Sequence, residues 1–281
     1  MSSQTSDQTS DQSFDIEQIV GQLTTTGIVA CRGAFSREWV ERMRADIDIA
    51  FAEARARPGG AVGRGPNRYY VEIHPQQFRG FVDLMTHPWV TAVCAAVLGP
   101  DWKAVELGFD IPFPGAEGQP WHRDFPSPVD TYERHRLTSL AFNLTAVDTI
   151  EEMGPFEIAE GTQWEAGAEF MDGMFPPSSE WARYESLAAR KLPKMGDISA
   201  RSALALHRGT PNRSTSDRPV MVLGVDAPGA GHDLLHDPMV TPDYWEALPA
   251  AVRKHLHCRV VDELVPITQK HQIEGLVEGV S

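Results

Sequence analysis

A chain of 281 residues, 42% apolar and 23% charged, has the make-up of a globular protein with a sizeable core. Its formal net charge of -14 argues against a nucleic-acid partner, because phosphate binding needs clustered Lys and Arg. The longest apolar run, around residues 90–98, is far shorter than the ~20 residues needed to cross a bilayer. The N-terminus also lacks the basic start and apolar stretch of a secretory signal, so no membrane partner and a cytoplasmic location are expected. Three widely spaced cysteines, Cys31, Cys94 and Cys258, with no CxxC, read as reduced thiols rather than a disulfide framework or zinc ribbon.

Residues 1–13 are polar, carry a short TSDQ duplication and show no apolar period; they read as a disordered tail. Residues 14–281 show neither an interdomain linker nor a structural repeat, so a single domain is expected. Ile28-Val29-Ala30-Cys31, running into Arg32-Gly33, suits a strand entering a turn. Ser36 then caps a helix in which Val40, Met43, Ile47, Phe51 and Ala54 recur at three- and four-residue steps, stopped by Pro58-Gly59-Gly60. Residues 59–70, GGAVGRGPNRYY, read as a loop leading into a strand. "THPWVTAVCAAVLG" reads as a second helix between Pro88 and Gly99. From about residue 102 the pattern turns into short apolar runs separated by Gly, Pro, Asp and Asn, as in a sandwich or barrel. "TPDYWEALPAAVRKHL", with Thr241 at the N-cap and Pro242 at N1, reads as a closing helix. The expected class is mainly β with flanking α-helices.

"PWHRDF", residues 120–125, sets His122 and Asp124 two positions apart at a strand end, close enough to share one metal ion. His207, ending the apolar run "ALALH", offers a third ligand, and Arg218 opens the next strand after a turn. Two histidines and one carboxylate on one face of an octahedral ion leave open sites and suit Fe(II). A guanidinium fork beside such an ion can hold a carboxylate with two parallel bonds.

Three ordered pieces carry a resemblance to a known family: "WHRDF", "DTIEEMGPFEIAEGTQW" and "KMGDISARSALALHRGTPNRSTSDR". In this order the chain resembles the phytanoyl-CoA dioxygenase-like Fe(II)/2-oxoglutarate-dependent oxygenases over roughly residues 20–225. The resemblance implies a double-stranded β-helix (jelly-roll, cupin-like) core. It also implies Fe(II) bound by His122, Asp124 and His207, 2-oxoglutarate bound by Arg218, and O2 as second co-substrate. The implied reaction hydroxylates or otherwise oxidises an unactivated C–H bond of a small metabolite, as in natural-product biosynthesis, with release of succinate and CO2. Relatives that halogenate carry a small residue where Asp124 stands, so halogenation is disfavoured.

Two departures stand out: Gly209 occupies a position where some relatives carry Ser or Thr, with Thr210 as a substitute, and Gly161-Thr162-Gln163-Trp164 lacks the histidine of the family's turn. Asn143 and Thr138, on "LTSLAFNLTAV", are candidate 2-oxoglutarate contacts, with a structural role for the buried amide as the alternative. Trp121 and Phe125 are either walls of the reaction pocket or general core. Arg64, Asn67, Arg68, Tyr69 and Tyr70 are either a substrate-facing lid or a solvated loop. "HDLLH", His232 to His236, is similar to a zinc-protease motif but lacks its glutamate and an evident third ligand. The rival reading of the whole chain is a non-catalytic jelly-roll protein that binds a small molecule.

Overall fold

The computed structural model describes residues 14–127 and 129–268; the expected polar tail, 1–13, lies outside them. Helix α1 (Ile16–Thr25) starts where the Asp15 side chain accepts the Gln18 N–H at 2.9 Å, and it buries Ile19 and Leu23. Two inward residues are a faint periodic signal, and the sequence reading passed over this helix. Strand β1 (Ile28–Cys31) and helix α2 (Arg37–Arg55) follow as expected. Ser36 caps α2 by accepting the Trp39 N–H, and Val40, Met43, Ile47, Ala50 and Ala54 form the inward stripe. Of these, the Val, Met and Ile side chains each stabilise the fold by about 1.5–3 kcal/mol relative to exposure.

Beyond α2 the chain departs from a plain loop. Residues 59–70 contain strand β2 (Val62–Gly63) and the start of β3 (Arg68–Glu72), paired antiparallel. Helices α3 (Phe81–Thr86) and α4 (Pro88–Leu98) separate these first strands from β4 (Lys103–Pro112) and β5 (Ser139–Thr145). Strands β6 (Phe156–Ala159), β7 (Ala188–Lys191), β8 (Ile198–Ser202), β9 (His207–Gly209) and β10 (Val220–Asp226) complete it. The expected closing helix is split into Pro242–Ala247 and Ala250–His255, because Pro249 keeps Leu248 extended at ψ 139°.

Seven strands form one antiparallel sheet in the order β1-β8-β5-β10-β4-β3-β2, and three form a smaller one in the order β7-β6-β9. From β8 onward the chain alternates between them: β8 large, β9 small, β10 large. This is the winding of a double-stranded β-helix. One face of the large sheet carries Leu107, Phe109, Leu140, Phe142, Leu144, Met221 and Leu223 into the main core, packed with residues of α1, α2 and α4. The opposite parity, including Ser199, Arg201, Ala141, Asn143, Val222, Glu106 and Asp110, faces a cavity of about 1030 Å³. Among the described residues no helix is long and apolar enough to cross a membrane.

Candidate metal centre and co-substrate pocket

His122 and His207 meet because their backbones pair. His122 N–H donates to the His207 carbonyl at 3.0 Å and His207 N–H to the His122 carbonyl at 2.8 Å, extending the small sheet beyond β9. Residues directly opposite in an antiparallel pair present their side chains on one face. The two imidazole rings accordingly lie 4.4 Å apart. Asp124, two positions on, returns to the same side of the chain. Its Oδ1 stands 3.4 Å from His207 Nε2.

The protonation of the two rings follows from their partners. His122 Nδ1 faces the Pro120 carbonyl at 2.9 Å and His207 Nδ1 the Ala205 carbonyl at 2.9 Å. A carbonyl can only accept, so both Nδ1 atoms carry the hydrogen and both Nε2 atoms keep a lone pair. Burial lowers the pKa of each imidazole, helped by His207 for His122 and by Arg201 for His207, so both stay neutral. Burial alone would raise the Asp124 carboxyl; the doubly bonded Arg201 guanidinium outweighs it and holds the group well below the usual carboxylate range. Two neutral imidazoles with fixed tautomers and one ionised carboxylate are a donor set that fits Fe(II).

Arg201 was not singled out in the sequence. It rises from β8 and grips Asp124 with two bonds, Nη1 to Oδ2 at 2.5 Å and Nη2 to Oδ1 at 3.0 Å. Its side chain is 7% exposed, against 25% for Asp124. A carboxylate has about four acceptor sites, so Asp124 can serve Arg201 and a cation together. The signal that could have revealed this was a charged residue at a cavity-facing parity of the apolar strand "DISARSALALH".

Arg218 enters the same cavity at the start of β10 and is 4% exposed. Its turn is held on both sides. The Asn212 side chain donates to the carbonyls of Pro112 and Ser216, each at 2.9 Å, and accepts from Ser214. Arg44 of α2 clamps Asp217 with bonds of 3.1 and 2.9 Å. Burial and the neighbouring Arg68 lower the Arg218 pKa to about 10, which leaves it charged at neutral pH. Arg68 is paired with Asp110 through Nε and Nη2, while its buried Nη1 has no partner. Two adjacent guanidinium groups, one with an unmet donor, fit the far carboxylate of 2-oxoglutarate.

Gly209 follows from this arrangement. A Cβ there would lie 1.8 Å from Arg68 Nη1, so the guanidinium occupies the space that a side chain would need. Gly209→Ser is expected to push the Arg68 guanidinium off Asp110 and to cost about 1–3 kcal/mol, the usual range for overpacking a filled site. Denaturant unfolding checks this, and wild-type stability in the variant contradicts it. Thr210 does not take over the role: its hydroxyl donates to the Pro155 carbonyl at 2.7 Å.

The remaining expectations divide. Asn143 lines the cavity, opposite Val222 and Ser199. Thr138 does not; it is buried outside the lining, and its carbonyl accepts the Ala227 N–H. Phe125 lines the cavity, whereas Trp121, adjacent to His122 and so on the opposite side of the extended chain, is buried in a separate cluster with Tyr184 and Leu206. Arg64, Arg68 and Tyr70 line the cavity, Arg68 and Tyr70 from β3 itself, so this group is cavity-facing rather than a solvated loop. His232 and His236 also reach this cavity, from a short 3-10 turn rather than an α-helix.

The sequence profile described as Phytanoyl-CoA dioxygenase (PhyH) matches residues 23–220. No curated protein matches the sequence. Among solved structures, the non-heme alpha ketoglutarate dependent carbocyclase SnoK from nogalamycin biosynthesis superposes with a TM-score of 0.61 at 17% identity, over 75% of this chain and 83% of that one. HygX from Streptomyces hygroscopicus, with nickel and 2-oxoglutarate bound, gives 0.58 at 16% over 88% and 96%. AviO1 from Streptomyces viridochromogenes Tue57 gives 0.57 at 16% over 78% and 98%. At such identities the likeness is one of fold, and that fold is the expected double-stranded β-helix.

Proposed function

This chain belongs to the phytanoyl-CoA dioxygenase family, and from that premise we propose that it oxidises a C–H bond of a small metabolite, with hydroxylation as the default outcome. Fe(II) and 2-oxoglutarate are the family's cofactor and co-substrate, and the chemistry is that of a 2-oxoglutarate-dependent oxygenase. When bound, they supply the oxidising power: 2-oxoglutarate, O2 and R–H become succinate, CO2 and R–OH. His122, Asp124 and His207 hold the iron in this reading. Arg218, with Arg68 beside it, holds the far carboxylate of 2-oxoglutarate.

The observation that carries the proposal is the pair of backbone-fixed imidazoles beside an ionised carboxylate, in one cavity with a buried arginine. The residues contribute orientation and exclusion of water rather than proton transfer. Pro120 and Ala205 hold the imidazole hydrogens on Nδ1, and Arg201 keeps Asp124 deprotonated and pointed inward. Phe125, 3% exposed, screens one side. A cavity of about 1030 Å³ is large enough for 2-oxoglutarate and a drug-sized second molecule. Nogalamycin biosynthesis, named for the SnoK relative, favours a natural-product skeleton as that molecule.

Release of succinate from 2-oxoglutarate, dependent on added Fe(II) and stimulated by members of a natural-product panel, is the test. Absence of Fe(II)-dependent succinate at any substrate would return the chain to the binding-protein reading. Arg201→Met is expected to weaken Fe(II) binding by ~10–100-fold, the range for partners that orient a metal ligand. An unchanged Fe(II) titration would remove Arg201 from the site's support.

A further inference from the structure

The cavity contains a second constellation that the oxygenase reading leaves unused. Glu106, His232 and His236 place one ligand atom each within 4.8 Å of one another, from β4 and from the turn after β10. The 122/124/207 set is more open, with Asp124 drawn towards Arg201. Here the two imidazoles point Nε2 to Nε2 at 2.9 Å with rings at 88°. Glu106 Oε2 lies 3.8 Å from His236 Nε2.

Their outer atoms are aimed at carboxylates. His236 Nδ1 lies 3.3 Å from Glu72 Oε1, and His232 Nδ1 3.6 Å from Asp226 Oδ1. None of these contacts is aligned as a hydrogen bond, and Glu72 Oε1, Asp226 Oδ2 and both Nδ1 atoms have no partner. Glu72 is 6% exposed, His232 7% and Asp226 4%. A buried carboxylate with an unmet oxygen is costly unless something compensates it. The surroundings are shaped to this cluster. Gly224 faces Glu106, and a Cβ there would lie 2.7 Å from its Oε2. Tyr70 donates its hydroxyl to Glu106, Ser139 donates to Asp226 at 2.6 Å, and Phe125 stacks on His232 at 4.1 Å.

We propose that Glu106, His232 and His236 bind a second divalent transition-metal cation of the zinc class, with Glu72 and Asp226 orienting the two imidazoles from behind. Two nitrogens each about 2.0–2.1 Å from a cation stand ~2.9 Å apart at a right angle and ~3.4 Å apart at the tetrahedral angle zinc favours, so the pair seats a cation after opening by about half an ångström. Carboxylates behind the outer nitrogens are the usual support for metal-binding histidine, because they keep the hydrogen on Nδ1 and the lone pair on Nε2. The competing occupant of the Nε2–Nε2 space is one shared hydrogen. Zinc and this proton therefore compete for one position. Three protein ligands leave further corners open to an oxygen or nitrogen donor of a molecule in the cavity.

The full-length protein, stripped of metal by a chelator and titrated with Zn(II) alone, tests this through bound metal after gel filtration. The wild type is expected to take up a second equivalent beyond that of the 122/124/207 set. His232→Gln and Glu106→Gln should each lose one equivalent, and Glu72→Gln should keep it with affinity lowered ~10–100-fold. Asp124→Ala should retain the second equivalent. A single equivalent in the wild type that survives both His232→Gln and Glu106→Gln overturns the proposal. A single equivalent lost in those variants but kept in Asp124→Ala upholds it and instead counts against the oxygenase triad. On the wild type alone, proton NMR reads the same competition: the shared imidazole hydrogen should disappear at saturating Zn(II), and its persistence overturns the proposal.

Discussion

Asp124→Ala is expected to lower 2-oxoglutarate turnover by more than the ~10–100-fold typical of lost outer partners, because it removes a proposed iron ligand itself. The same substitution strands Arg201, whose side chain is 7% exposed and gives both its terminal nitrogens to Asp124. Leaving one member of a buried pair uncompensated costs about 3–5 kcal/mol, so stability should fall together with activity. The double variant Asp124→Ala/Arg201→Met separates the two effects. It should recover much of the stability, since no charge is left stranded, and none of the turnover. Turnover near wild type in either variant would show that Asp124 has no part in the chemistry.

Arg218→Ala should raise the KM for 2-oxoglutarate by ~100-fold or more, taking about 1.5–3 kcal/mol for each hydrogen bond to a charged group and two such bonds from the fork. Arg218→Lys keeps the charge but loses the fork, so an intermediate KM is expected. The KM for the organic substrate should move little in both. Steady-state kinetics with 2-oxoglutarate as the varied substrate measures this. An unchanged KM in Arg218→Ala would shift the co-substrate pocket to Arg68 or elsewhere.

The sequence exposed local features better than converging ones. The cap at Ser36, the stripe of α2 and the punctuation of α4 by Pro88 and Gly99 are written in neighbouring residues, and the structure carries them as expected. Helix α1 has two buried positions and gave little to read, and Pro249 divided what looked like one closing helix. His122, Asp124, His207 and Arg218 are proposed from the order of family motifs, and they line one cavity. Thr138 was misplaced by a single step of strand parity: Ser139, Ala141 and Asn143 face the cavity, while Thr138 is not in its lining. Arg201 and Arg68 were overlooked or miscast because their partners, Asp124 and Asp110, are distant in sequence and meet them only across the sheets. Glu106 escaped for the same reason. It supplies from β4 the third donor that "HDLLH" lacked when read alone.

The absorption spectrum of the anaerobic protein with Fe(II) and 2-oxoglutarate tests the central reading most directly. A weak visible charge-transfer band is predicted for the wild type, lost in His207→Ala and shifted to much higher 2-oxoglutarate concentration in Arg218→Ala. No band in the wild type at saturating Fe(II) and 2-oxoglutarate, or a band undiminished in His207→Ala, would contradict it.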